Sequence, residues 1–129
     1  MNKNLQKYFA TIWPAIIWSV IVFLLLVAPP ISIAKEKQFD ITHLDKIIHA
    51  GLFAILVVLW GYWLKSKYVF FSKFLFALSI TFFLSVCYGI VMEYIQLWVG
   101  RDFDIWDMLA DGAGAAAGWL FLAVKERPR

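Results

Sequence analysis

The sequence predicts an all-α fold: a four-helix transmembrane bundle with short loops and both termini in the cytoplasm. Hydrophobic residues make up 63% of the 129 positions and charged residues only 16%, whereas about 25% of the residues in soluble domains are charged. The hydrophobic residues fall into four runs separated by polar segments. A soluble domain of this length has too large a surface to hide so many apolar side chains. The composition therefore excludes a soluble enzyme, a disordered tail and a nucleic-acid-binding protein, although the net charge is +3.

The first predicted helix covers about residues 8–28. No charged residue occurs between Lys7 and Lys35, and Pro29 and Pro30 end the helix because proline cannot continue it. A cleaved signal peptide is the alternative, since residues 32–34 have the small-x-small pattern of a cleavage site. The apolar stretch is longer than the roughly 7–15 residues of a signal peptide. We therefore expect an uncleaved span.

The other three predicted helices cover about residues 44–64, 74–98 and 105–124, and the four form a single transmembrane domain over residues 1–129. Crossing a hydrocarbon core of about 30 Å requires roughly 20 mostly apolar residues. The last helix reaches this length only if it includes Asp107 and Asp111, and the second only if it includes His49. Polar residues therefore belong to the spans themselves, which is the first indication of a functional site.

The distribution of basic residues predicts the orientation, because short cytoplasmic loops carry an excess of Lys and Arg. Of the twelve basic residues, eight lie on the side of both termini, and of the nine acidic residues only Glu126 lies there. The protein is therefore predicted to cross the membrane several times with both termini inside. The eight basic residues are Lys3, Lys7, Lys65, Lys67, Lys73, Lys125, Arg127 and Arg129.

Polar side chains of three predicted helices reach a similar depth. At about 1.5 Å per residue, Asp111 lies roughly 21 Å, His49 roughly 24 Å and Glu93 roughly 30 Å from the inner basic ends of their helices. A charge facing lipid costs about 2.5–3.5 kcal/mol or more, so these groups are expected to turn towards one another near the outer leaflet. An interfacial rim of helix-capping acids is the alternative. The predicted binding residues are Asp45, Lys46, His49, Glu93, Gln96, Arg101, Asp104, Asp107 and Asp111.

These residue types suit either binding or catalysis. Neighbouring carboxylates shift one another's pKa and serve general acid and base chemistry, for which the candidates are His49, Glu93 and Asp107. Carboxylates with an imidazole hold divalent metals, for which the candidates are His49, Glu93, Asp107 and Asp111. Neither a His-Glu-x-x-His motif nor a P-loop occurs. We predict no cofactor, with a divalent metal as the alternative, and the sequence leaves open whether the protein is an enzyme.

Small residues mark the packing face of the fourth predicted helix. Ala110, Gly114 and Gly118 recur every four residues, a spacing that lets helices approach closely in lipid. We favour packing of this face against other helices of the same chain. A homodimer is the alternative, but the spacing does not require one. The single Cys87 excludes a disulfide within the chain.

The polar residues also form an ordered pattern over about residues 43–120. It comprises Asp45-Lys46-x-x-His49 with Phe53, Glu93-x-x-Gln96, Arg101-x-x-Asp104-x-x-Asp107, Asp111, Gly114 and Gly118. This pattern resembles that of the VanZ-like family of small bacterial integral membrane proteins. One departure is Asp111, where the family pattern usually has Asn, which questions any role that needs a neutral amide donor.

The resemblance implies a protein of the bacterial cytoplasmic membrane that is linked to the cell envelope. The family is associated with resistance to the glycopeptide antibiotic teicoplanin, but the resemblance supplies no reaction. We expect a pocket that binds membrane lipids, a lipid-linked envelope precursor or an amphiphilic antibiotic, and no nucleic acid. The alternative is a membrane-embedded hydrolase or transferase that acts on a lipid-linked substrate. A small multidrug exporter is less consistent, because such exporters need a glutamate in the first helix and none occurs there.

Overall fold

The computed structural model describes Tyr8, residues 10–28 and residues 41–128, with the side chains of residues 41–43 excepted. These parts contain four helices and no strand, which confirms the predicted all-α fold. The helices are α1 (Trp13–Val27), α2 (Ile41–Lys67), α3 (Phe71–Trp98) and α4 (Ile105–Lys125). The segment 32–34 and most of the loop that follows α1 lie outside the described residues.

Three of the described helices are long and apolar enough to cross a membrane: Leu44–Lys67 within α2, all of α3 and all of α4. Helix α1 is apolar but has only 15 residues, or about 22 Å of helix. It begins at Trp13, and Pro14 occupies its first turn, the position where a missing N–H costs least. The predicted span of about residues 8–28 therefore includes a few residues before α1, of which Tyr8 is also helical.

Helices α2 and α3 each pack against the other three helices, and the most extensive contact of the bundle joins α2 to α4. Helix α4 approaches α2 through glycines. A Cβ atom added to Gly114 would overlap the carbonyl group of Ala50, and one added to Gly118 would lie 2.6 Å from the carbonyl oxygen of Ala54. The small residues of α4 therefore bring two backbones of one chain together.

Helix α1 is held against the bundle by hydrogen bonds from aromatic side chains. Trp18 Nε1 donates to the carbonyl of Leu52 at 3.0 Å, and Tyr88 Oη donates to the carbonyl of Ser19 at 2.9 Å. Trp60 Nε1 donates to Ser19 Oγ at 3.2 Å. Such bonds help to fix helix positions in lipid, where the hydrophobic effect does not drive helices together.

The turn after α3 is a Schellman motif, which sets the direction of the chain towards α4. Gly100 has a φ of 83°, a left-handed conformation that glycine adopts without a Cβ penalty. The N–H of Gly100 donates to the carbonyl of Leu97 at 3.3 Å, and the N–H of Arg101 donates to that of Gln96 at 3.0 Å. These are the two bonds of that motif. Helix α3 therefore ends at Trp98, and the chain enters α4 beside its own last turn.

Candidate functional site

Buried polar side chains concentrate at one end of the bundle, where α2 and α4 begin and α3 ends. Of the six buried polar side chains among the described residues, five lie there and only Ser85 does not. We use the name polar cluster for this group together with its partly exposed neighbours on α2 and at the start of α4, but without Gln96, which faces α1. The polar cluster consists of Asp45, Lys46, His49, Glu93, Asp104, Asp107 and Asp111.

The deepest contact of the polar cluster joins α2 to α4. His49 Nδ1 lies 2.9 Å from Asp111 Oδ1, and each side chain is only 1% exposed. Gly89 of α3 makes room for this pair, because a Cβ added there would lie 2.8 Å from Asp111 Oδ2. Because Gly89 of α3 has no side chain, the Asp111 carboxylate of α4 can reach the His49 imidazole of α2.

Lys46 forms the more exposed part of the polar cluster. Its Nζ lies 2.9 Å from Asp104 Oδ2 and 3.3 Å from Asp107 Oδ1. Asp104 also caps α4, since its Oδ1 accepts the N–H of Trp106 at 2.8 Å. The Lys46 ammonium and this N–H lower the pKa of the Asp104 carboxyl below its ordinary value of 3.8. Lys46 and Asp104 are 27% and 35% exposed, so this side of the cluster is open.

Glu93 ties the end of α3 to the start of α4. Its Oε2 accepts the backbone N–H of Asp104 at 3.2 Å, while the side chain is 1% exposed. Its other oxygen, Oε1, and Asp111 Oδ2 are buried and accept no hydrogen bond from the described part of the chain. The polar cluster therefore contains two acceptor atoms that have no donor among the described residues.

Gln96 and Arg101 lie beside the polar cluster but bond to the end of α1. Gln96 Nε2 and an Arg101 guanidinium nitrogen donate to the carbonyl of Leu26 at 3.1 and 3.2 Å. A helical carbonyl normally accepts from the residue four positions later, and that residue is Pro30, which has no N–H. These two predicted binding residues thus satisfy a carbonyl that the sequence of α1 leaves without a helical donor.

Three side chains are arranged as metal ligands would be. Asp45, His49 and Asp107 each offer one ligand atom, and these atoms lie within 4.8 Å of one another. The set differs from the ligands predicted from sequence, because it contains Asp45 instead of Glu93 and Asp111. Asp111 is occupied with His49 Nδ1, and Glu93 with the backbone of Asp104.

All nine predicted binding residues lie at this end of the bundle, and the structure adds a tenth position. Gly89 was not among the sequence-based candidates. The sequence could have identified Gly89, because it lies four residues before Glu93 and therefore on the same face of α3. Of the predicted packing residues, Gly114 and Gly118 contact α2 closely, and Ala110 is partly buried between Asp107 and Gly114 in the sequence of α4.

The fold and the site together define a helical, multi-span membrane protein with a polar cluster buried at one end of its bundle. The family model described as VanZ/LLP1 matches residues 3–126, nearly the whole chain, so the chain belongs to the VanZ/LLP1 family. This finding confirms the family resemblance seen in the sequence. No significant match is found among curated proteins or among solved structures.

Proposed function

We propose that this VanZ-family protein binds, at the outer leaflet of the bacterial cytoplasmic membrane, the polar part of an amphiphile. The candidate ligands are a lipid headgroup, a lipid-linked envelope precursor and an amphiphilic glycopeptide antibiotic. Their shared feature is a polar part with N–H or O–H donors attached to an apolar chain. The proposal includes the orientation with both termini in the cytoplasm, which puts the polar cluster on the outer side.

The observation that carries this proposal is the pair of buried acceptor atoms, Glu93 Oε1 and Asp111 Oδ2, within the polar cluster. A buried acceptor without a donor costs about 1–3 kcal/mol, and more when it is charged. A ligand that donates hydrogen bonds to these oxygens recovers that free energy. The open side at Lys46 and Asp104 gives such a ligand a route of entry.

An apolar groove further along the bundle supports an amphiphilic ligand. The groove has a volume of about 580 Å³ and is formed by α1, α2 and α3. Ser85 lines it, and Gly89, one helical turn further along α3, contacts Asp111. A molecule with its polar part in the cluster therefore has space for an apolar chain along the same helix.

The test compares two lipids that differ in hydrogen-bond donors but carry the same net charge. The full-length protein is reconstituted in nanodiscs with equal amounts of phosphatidylethanolamine and phosphatidylcholine, and retained lipids are counted by native mass spectrometry. We expect about tenfold enrichment of the ethanolamine lipid, equivalent to one hydrogen bond to a charged acceptor. Enrichment should fall in Glu93→Gln and persist in Glu126→Gln, which removes a carboxylate at the opposite end.

Two further probes distinguish the ligand classes. Teicoplanin and a polyprenyl-linked saccharide are each added as competitors to the same nanodiscs. Displacement of the ethanolamine lipid by one of them identifies that class as the preferred ligand. Equal retention of both lipids by the wild-type protein, with no binding of either competitor, would contradict the proposal.

The alternative function is hydrolysis or transfer on a lipid-linked substrate, and the His49–Asp111 contact favours it. A carboxylate at Nδ1 orients an imidazole so that Nε2 can accept a proton, as in the general bases of many hydrolases. Incubation of the wild-type protein with a polyprenyl-linked saccharide distinguishes the two functions. Product that forms with wild type and not with His49→Gln supports catalysis, and intact bound substrate supports binding alone.

A further inference from the structure

We propose that Asp45, His49 and Asp107 bind a divalent transition-metal cation of the class of Zn²⁺ or Mn²⁺. Their ligand atoms lie within 4.8 Å of one another. Metal–ligand bonds of 2.0–2.2 Å hold two ligands of one ion at most about 4.4 Å apart. The three atoms therefore need only a small side-chain rotation, and Asp45, which is partly exposed, is free to make it. The inference concerns the same polar cluster as the proposed lipid binding, but its test counts metal ions and therefore fails or succeeds separately from lipid binding.

Two helices supply the three ligands in a fixed arrangement. Asp45 and His49 are four residues apart on α2, so their side chains project from one face. Asp107 lies in the first turn of α4, which packs closely on α2 through Gly114. One imidazole and two carboxylates form a mixed donor set that suits Zn²⁺ or Mn²⁺ better than Ca²⁺.

The orientation of His49 is the one that a metal-binding histidine adopts. Its Nδ1 contacts Asp111 Oδ1 at 2.9 Å, which leaves Nε2 without a hydrogen-bond partner among the described residues. Metal-bound histidines almost always contact a carboxylate or carbonyl through their second nitrogen, which fixes the ring and strengthens the metal bond. Asp111 is thus a positioning residue, and Gly89 provides the space that it occupies.

A second observation, at the Glu93 oxygen that also supports the proposed function, points to a cation. The Oε1 atom of Glu93 is buried and has no donor among the described residues, and the same carboxylate binds the N–H of Asp104 in the turn that precedes Asp107. The polar cluster holds five carboxyl groups against one lysine, and three of them, those of Glu93, Asp107 and Asp111, are buried. Buried negative charge is costly without a counter-ion.

The competing explanation is that Lys46 is the only counter-ion the polar cluster needs. Its Nζ lies 3.3 Å from Asp107 Oδ1, but it is 27% exposed and shared with Asp104. The two explanations differ for Lys46→Gln. If a metal binds, removing the competing ammonium increases metal affinity; if lysine alone neutralises the cluster, the variant gains no metal binding.

The test measures metal content directly. The full-length protein is purified in detergent, stripped with a chelator and dialysed separately against Zn²⁺ and Mn²⁺, and bound metal is counted by mass spectrometry. We expect one ion per chain for at least one metal. The affinity should fall at least about tenfold in Asp45→Asn and Asp107→Asn, and about 10–100-fold in the positioning variant Asp111→Asn. Glu126→Gln is the matched control and should bind like wild type.

Circular dichroism and gel filtration of each variant separate loss of metal from loss of fold. Asp45→Asn is the decisive variant, because a partly exposed position tolerates a neutral isostere. A wild-type protein that binds neither metal overturns the proposal. Equal affinities of wild type, Asp45→Asn and Asp107→Asn, or a Lys46→Gln variant with unchanged or weaker metal affinity, overturn it as well.

Discussion

The contact between His49 and Asp111 gives the most quantitative prediction. Both side chains are 1% exposed and their nearest polar atoms are 2.9 Å apart. Replacing His49 with leucine leaves the Asp111 carboxylate buried with neither oxygen accepting a hydrogen bond. Removing one partner of a buried pair in this way costs about 3–5 kcal/mol. We therefore expect His49→Leu to lower the free energy of unfolding by that amount.

A second substitution in the same background isolates the charge. Asp111→Asn is nearly isosteric, and a buried neutral amide without a partner costs only about 1–3 kcal/mol. In the His49→Leu background, Asp111→Asn should therefore restore about 2 kcal/mol. In the wild-type background, Asp111→Asn should not raise the free energy of unfolding, because the amide still bonds to the imidazole of His49. The resulting coupling of about 2 kcal/mol exceeds the roughly 0.6 kcal/mol of an average interhelical hydrogen bond in a membrane.

The assay measures reversible unfolding in mixed micelles as the fraction of sodium dodecyl sulfate increases, with circular dichroism as the readout. It is applied to the wild type, both single variants and the double variant. The same cycle on Lys65 and Glu126 is the control. That pair is 3.7 Å apart and partly exposed, so its coupling should lie between about 0 and 1 kcal/mol. A coupling between His49 and Asp111 of about 0.6 kcal/mol or less would refute the argument that a buried charge is neutralised there.

Three further predictions concern packing, pH and orientation. Gly114→Ala should lower the free energy of unfolding by about 1–3 kcal/mol, because the added Cβ overlaps a carbonyl of α2. Gly112→Ala is the control, since its Cβ meets nothing within 4 Å, and it should raise the free energy of unfolding by up to about 1 kcal/mol. Chemical unfolding in micelles measures both changes. Asp104→Ala should cost about 1 kcal/mol near pH 7, where Lys46 and the helix N-terminus stabilise the carboxylate. Because the pKa of Asp104 is lowered on folding, its charge contributes fully above pH 3.8 and is lost as the pH falls through the folded-state pKa, so the difference from wild type should shrink in acid unfolding curves. Alkaline phosphatase fused after Arg129 should be inactive in a bacterial host, because we predict a cytoplasmic C-terminus; an active fusion would contradict that orientation.

The sequence was most informative about helices and least informative about their ends. The predicted ends of the second, third and fourth helices lie within about three residues of the observed ends. A long apolar run in lipid can satisfy its backbone hydrogen bonds within the segment only by forming a helix. The first predicted span starts about five residues before α1, since hydropathy does not register the effect of Pro14 on a first helical turn. That effect depends on backbone geometry at a single residue, whereas hydropathy is averaged over a window of residues and contains no such information.

The candidate site residues lie at one end of the bundle, but the sequence did not indicate which of them contact one another. Depth counting and the helical repeat placed Glu93 and Asp111 near His49, and the structure puts all three at one end of the bundle. It also pairs Asp111 with His49 and assigns Gln96 to a carbonyl of α1. A one-dimensional pattern gives the height and face of a side chain, whereas its partner depends on how each helix is rotated about its axis.

The sequence by itself therefore indicated the class of protein and the set of polar residues that must avoid lipid, and its motif pattern indicated the family. The class and the polar set need only transfer free energies and the helical repeat, which are properties of single segments. The tertiary structure alone decided that α4 lies close enough to α2, through Gly114 and Gly118, for its carboxylates to reach His49. It also placed Asp45 beside His49 and Asp107, and Asp111 against the imidazole of His49. The physical reason is that hydrogen bonds and metal bonds act over about 2–3 Å, and only the packing of backbones fixes positions to that accuracy.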